Sequence, residues 1–203
     1  MKNKLIIPIL LTNLIFAIPT VLHVKKKLIS VNGKSANVLT IEQNKGKWGY
    51  YAKNSDIFDV IVKNDLNNPT IIHWHGLTLP NNQDGTELTQ LVIPAHGEYH
   101  YNFKLKDTGT FWMHSHEGFQ EAMLAEAPLI IEAQDDSNYK QVIVMFQGFN
   151  FKSPEEILTK IKKNAKKFAN MHMDMKMGRD LNDTNFDAYL TNYHTPDIPH
   201  YFL

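Results

Sequence analysis

The feature that most constrains this chain is a period of two in its apolar residues, broken at short intervals by turn clusters. Phe58, Val60 and Val62 alternate with Asp59, Ile61 and Lys63, and Tyr99, Tyr101, Phe103 and Leu105 alternate with His100, Asn102 and Lys104. Successive side chains on a strand point to opposite faces, so such a segment buries one face and wets the other. Thr70–Leu79, Thr110–His116 and the apolar run Pro128–Glu132 read as further strands. Asn64–Pro69, Pro80-Asn81-Asn82 and Asp107-Thr108-Gly109 read as the turns between them. Strands at this spacing predict an all-β fold, a Greek-key β-sandwich covering residues 28–135.

A second unit is expected from residue 136 onward, after the polar linker Gln134–Asn138. Val142–Phe146 reads as its first strand. Ser153-Pro154-Glu155-Glu156 is a capping box with proline at the first helical position. Ile157, Ile161, Ala165 and Phe168 follow at helical spacing. Lys160, Lys162, Lys163, Lys166 and Lys167 fill the other face, where they suit the negative end of the helix dipole. A solvated helix face is the simplest reading of that lysine run. From Val142 to Leu203 there are roughly 60 residues, fewer than a free-standing sandwich uses. The unit 136–203 therefore reads as incomplete, with one helix.

Charge and termini narrow the function. Lys plus Arg and Asp plus Glu are 21 each, a balance that argues against a surface built to meet phosphates, and nucleic acid is not an expected partner. No cysteine is present, which excludes disulfides, thiolate zinc sites and any thiolate copper ligand. Lys2 and Lys4 precede an apolar run, Leu5–Ile18, broken by Thr12 and Asn13 and ended by Pro19. That is the pattern of an export signal. Leu5–Val24 is also long enough to span a bilayer, so residues 1–24 are expected to be a signal peptide or an N-terminal membrane anchor. The chain is then exported and periplasmic, or held there by this segment. Two features oppose the signal reading: no Ala-x-Ala cleavage site, and Lys25-Lys26-Lys27 just after the run.

The chemistry lies in histidine spacing. His73 and His75 flank Trp74, and His114 and His116 flank Ser115. On a strand, residues two apart share a face, so each pair projects both imidazoles into one space, and Trp74 turns the other way into the core. The paired Cβ atoms are roughly 7 Å apart, which suits two neighbouring metals better than chelation of one. Two such strands in one domain bring four imidazoles together. Neutral imidazole suits copper and zinc, and the Irving–Williams order favours copper(II).

The surrounding residues carry a resemblance. Thr70-Ile-Ile-His-Trp-His-Gly-Leu-Thr-Leu-Pro80 resembles the first copper motif of the multicopper oxidases, and Gly109-Thr-Phe-Trp-Met-His-Ser-His-Glu-Gly-Phe-Gln120 resembles the second. Asp84-Gly85, Thr89-Gln90, Ile93-Pro94 and Gly97 resemble the linking segment, and Phe186–Leu190 a segment of the second domain. The likeness is to the copper-resistance, laccase-like branch. It implies cupredoxin-like domains and a trinuclear copper cluster, with His73 on the type 2 copper, His75 and His114 on one type 3 copper, and His116 on the other. It also implies an activity: oxidation of a substrate coupled to reduction of oxygen to water, in copper resistance or homeostasis. The family's His-Pro-x-His-x-His and His-Cys-His motifs are absent from these residues. The chain therefore reads as the N-terminal portion of a three-domain oxidase from a truncated or frameshifted gene, inactive alone. The alternatives are a non-catalytic exported copper-binding protein and a non-functional remnant.

Other polar residues receive plainer readings. Met171-His-Met-Asp-Met-Lys-Met177 offers soft thioethers beside an imidazole, either a copper(I) delivery site or a surface loop. His96 and His100 read as solvated, and His23, His194 and His200 show no partner. Asp84 and Glu117 lie close to the motifs and read either as groups that orient imidazoles or relay protons, since ligating histidines usually require a partner, or as plain surface carboxylates.

Overall fold

Asn32 and Gly33 both take positive φ, 49° and 76°, and join two long strands by a two-residue turn. Such a turn matches the right-handed twist of a hairpin, and Asn-Gly is the pair that tolerates it. Strand β1, Thr20–Val31, thereby pairs antiparallel with β2, Lys34–Gln43. The computed structural model describes residues 18–133, 140–169 and 185–195. The first half of β1 also runs parallel to β4, Ile57–Asn64, which pairs antiparallel with β6, Glu98–Lys104. The resulting sheet has the order β2-β1-β4-β6. The second sheet has the order β3-β8-β7-β5, formed by Tyr50–Lys53, Glu126–Glu132, Gly109–Ser115 and Ile72–His75.

The core fills the space between these two sheets. Leu22, Val24, Phe58, Val60, Val62, Tyr101 and Phe103 face it from one side, and Tyr50, Ile72, Trp74, Met113, Leu129 and Ile131 from the other. The expected alternation over β4 and β6 is present residue for residue. The stretch expected to be a strand from Thr70 to Leu79 is shorter, because Gly76 turns at φ 92° and ends β5 at His75. β1 corrects the expected boundary of the N-terminal segment. Residues 20–24 form a strand, with Leu22 and Val24 fully buried, so the first sheet takes in Thr20, where 28 was expected. Residues 1–17 lie outside the described residues. Among those described, no helix is long and apolar enough to cross a membrane.

Beyond residue 140 a two-stranded sheet forms from β9, Phe146–Phe149, and β10, Ala188–Thr191. The strand expected at Val142–Phe146 lies a few residues later. Residues 143 and 145 instead hold the Asn192 side chain, through Ile143 O at 2.9 Å and Met145 N at 2.9 Å. The capping box forms as expected: Ser153 Oγ accepts from Glu156 N at 3.2 Å, and Glu156 Oε2 accepts from Ser153 N at 3.0 Å. Helix α1 then runs Pro154–Ala169. Phe149, Leu190 and Tyr193 form a second small core with Ile29, Val31, Val38 and Leu124 of the sandwich. Tyr193 reaches furthest, its hydroxyl 2.9–3.2 Å from the carbonyls of Leu39, Leu124 and Glu126. The linker residues 134–139 lie outside the described residues.

Candidate metal centre

The centre is built on the pairing of β5 with β7. Antiparallel register sets His73 opposite His114 and His75 opposite Trp112. His116 follows one step past the end of β7, its N–H bonded to Ile71 O at 3.1 Å. All four imidazoles emerge on the face away from the core, and Trp74, fully buried, points inward as expected. Gln120 ties the two motifs together. Its Oε1 accepts from Thr70 Oγ1 at 2.6 Å and from Ser115 Oγ at 2.9 Å, and its Nε2 donates to Pro69 O at 2.7 Å.

The rings converge. One ligand nitrogen each from His73, His114 and His116 lie within 4.8 Å of one another. The His75 ring centroid is 5.4 Å from that of His114 and 5.5 Å from that of His73. His75 Nδ1 faces His114 Nε2 at 3.2 Å. Two imidazole nitrogens bound tetrahedrally to one metal at about 2.0 Å stand about 3.3 Å apart, so this pair has the spacing of a two-nitrogen chelate. The inner nitrogens are held in turn. His73 Nδ1 donates to Asp84 O at 2.7 Å, and His114 Nδ1 lies 3.0 Å from Glu121 Oε2. Such partners fix the tautomer and leave the outer nitrogen free to ligate.

Burial favours the unprotonated form of two of the rings, His114 and His116. Burial lowers the pKa of His114, with the positive charge of neighbouring imidazoles adding to the effect and Glu121 opposing it. Burial also lowers that of His116, helped by the charge of His73. A neutral imidazole keeps the lone pair that a metal needs.

Asp84 reaches His73 because of Gly85. This glycine, at φ 74°, packs so tightly over β5 that a Cβ would sit 1.7 Å from Ile72 O. A depression of about 610 Å³ opens beside His116 and is lined by Asp84, Thr86, Glu87 and Leu88.

Of the two carboxylates expected to orient imidazoles, Asp84 does so, mainly through its backbone. Glu117 turns instead toward Glu87, and its pKa is raised by burial and by that neighbour. Glu121 and Gln120 were not singled out by sequence. The signal for Glu121 is its place seven residues after His114, where a tight turn folds back beside β7. His96 and His100 are exposed, as expected. His23 has partners after all: Asp65 Oδ2 at 2.8 Å and Asn44 Oδ1 at 3.1 Å. Met171–Met177 and His200 lie outside the described residues.

The family profile for multicopper oxidase matches residues 23–136. Copper resistance protein A of Escherichia coli is 38% identical over 117 residues, covering 56% of this chain and 19% of that protein. A copper resistance protein A homolog of Pseudomonas syringae pv. tomato is 34% identical over 148 residues, covering 70% and 25%. The chain thus spans about a fifth to a quarter of the length of these relatives. Among solved structures, the laccase from Botrytis aclada superposes with a TM-score of 0.60 at 27% identity, covering 69% of this chain and 27% of that one.

Proposed function

Because this chain belongs to the multicopper oxidase family, whose cofactor is copper, we propose that it is the copper-binding N-terminal part of a laccase-like oxidase, with His73, His75, His114 and His116 as copper ligands. The observation that carries this is the convergence of four imidazoles from two paired strands, with His75 Nδ1 and His114 Nε2 at chelate spacing. The donor set fits the metal: neutral nitrogens, no carboxylate among the inner contacts, and backbone or carboxylate partners on the opposite ring atoms. The chemistry that bound copper supplies is electron transfer to oxygen, giving water. The residues here bind and orient: His75 and His114 share one position, His116 faces a second, and His73 stands between them.

The export reading belongs to the same proposal, supported by Lys2, Lys4 and the apolar run Leu5–Ile18. So does inactivity of the chain alone. A copper site that takes electrons rapidly from an organic donor uses a thiolate, and no cysteine is available. Purified protein titrated with copper(II) should bind it without intense blue colour. It should oxidise phenols no faster than free copper, and the double variant His75→Ala, His114→Ala should lose most of the binding. Equal binding by both proteins would remove these histidines from consideration.

A further inference from the structure

We propose that Glu121 and Trp112 are positioning residues that make His114 the fixed ligand of the cluster, so that the His75–His114 pair takes the first metal ion. This rests on the copper reading given above.

Two restraints act on the His114 ring, and they act in different directions. The first is Glu121 Oε2, 3.0 Å from Nδ1. A carboxylate only accepts, so the proton sits on Nδ1 and the lone pair of Nε2 faces the site. The second is the Trp112 indole, parallel to the imidazole within 9° and 4.0 Å away between centroids. Rotation of His114 about its Cβ–Cγ bond would pull Nδ1 off the carboxylate and drive a ring edge into the indole. Among the described residues, His114 is the one ring of the four held in both ways. His73 has its Nδ1 on Asp84 O, but its ring neighbours are imidazoles at 65–89°. His75 is exposed and lies tilted by 35° to Trp112 at 5.3 Å.

Register explains why an indole is at this place. His73, His75, His114 and Trp112 form the four corners of the β5–β7 ladder, three imidazoles and one indole. The indole offers a donor N–H and no lone pair, so it cannot ligate. Its face can stabilise the positive charge that a liganded imidazole acquires. With His114 already set, only His75 must be ordered for a metal to find two nitrogens at 3.2 Å. A site that needs less ordering binds more tightly.

The test uses the full 203-residue chain. Nitrogen-15 spectra of the metal-free protein should show His114 as a single Nδ1–H tautomer. Glu121→Ala should give a tautomer mixture and lower copper(II) affinity about 10–100-fold, the usual effect of removing such a partner. Glu121→Gln, whose amide oxygen still accepts, should retain both properties. Trp112→Phe should keep the affinity but lose most of the fluorescence quenching caused by the first equivalent of copper(II), and Trp112→Ala should weaken binding. Glu121 is on the surface, so its variants should melt like the parent, and thermal melting checks that they fold. A Glu121→Ala chain with the parent tautomer and affinity would overturn the proposal. So would a first equivalent that survives His75→Ala but not His73→Ala. If the parent chain bound no copper(II), the copper reading and the first-metal step would both fall, while the tautomer spectrum would still decide the role of Glu121.

Discussion

Replacing Gly85 by alanine should damage both the fold and the metal centre. The added Cβ would meet Ile72 O at 1.7 Å, Ile72 C at 2.5 Å and His73 Cα at 3.0 Å. All three are backbone atoms of β5, so no side-chain rotation relieves the contact. The loop must retreat by well over an ångström. That movement carries Asp84 O from 2.7 Å to about the limit of a hydrogen bond with His73 Nδ1. The left-handed backbone, φ 74°, adds about 1–2 kcal/mol for a residue with a Cβ, and the lost hydrogen bond about 1 kcal/mol. Urea unfolding should therefore show a loss of about 2–3 kcal/mol, the sum of these two effects. Copper(II) titration should show affinity lowered about 10-fold or more, because His73 loses its orienting partner. Gly33→Ala is the control. It has a similar φ, 76°, and nothing within 4 Å of its Cβ, so it reports backbone strain alone. If the two variants were equally stable and Gly85→Ala bound copper like the parent, the argument from close approach would be wrong.

Two further outcomes follow from the junction with the second unit. Burial raises the pKa of Glu126 to about 7, with Gln147 partly offsetting the shift and Glu121 adding to it. The folded state thus prefers the protonated acid. This contribution is complete below the unfolded value near 4.5 and is lost as pH rises through about 7. The urea midpoint should fall over that window by the equivalent of about 3 kcal/mol, and Glu126→Gln should flatten the profile; a profile with the same slope in both proteins would rule this out. Tyr193→Phe removes the hydroxyl shared by three buried carbonyls and should lower stability by about 1–2 kcal/mol. Protease cleavage after residue 140 should quicken in that variant, and an unchanged rate would show that the hydroxyl does not hold the junction.

Much of this was legible in the sequence, and the misses have physical causes. β4 and β6 keep one phase of alternation from end to end, so their inward residues could be named. The His-x-His strands were readable for the same reason, and so was Trp74. β1 was not. Its buried residues are Leu22 and Val24 in the first half and Ile29 and Val31 in the second, a change from even to odd positions. The two halves face different cores, and a single period of two cannot describe both. In the site, the four imidazoles announce themselves by spacing, whereas Glu121 and Gln120 act across a turn whose path the sequence does not reveal. The pairing of His75 Nδ1 with His114 Nε2 depends on register and on ring orientation, which become visible only when β5 is laid against β7.

The change of phase within β1 has a consequence for how this molecule comes apart. One strand seals two cores, and its own Lys27 lies over the ring of Tyr193, far along the chain, while also pairing with the buried Glu42. Loosening the segment that carries Tyr193 uncovers Ile29 and Val31, which weakens the same hairpin that closes the main core. Energetic linkage of this kind merges neighbouring foldons, so that local openings give way to global ones. Hydrogen exchange at β9, on this view, should slow to the rate of β1 itself, and the small sheet should inherit the protection of the large sandwich.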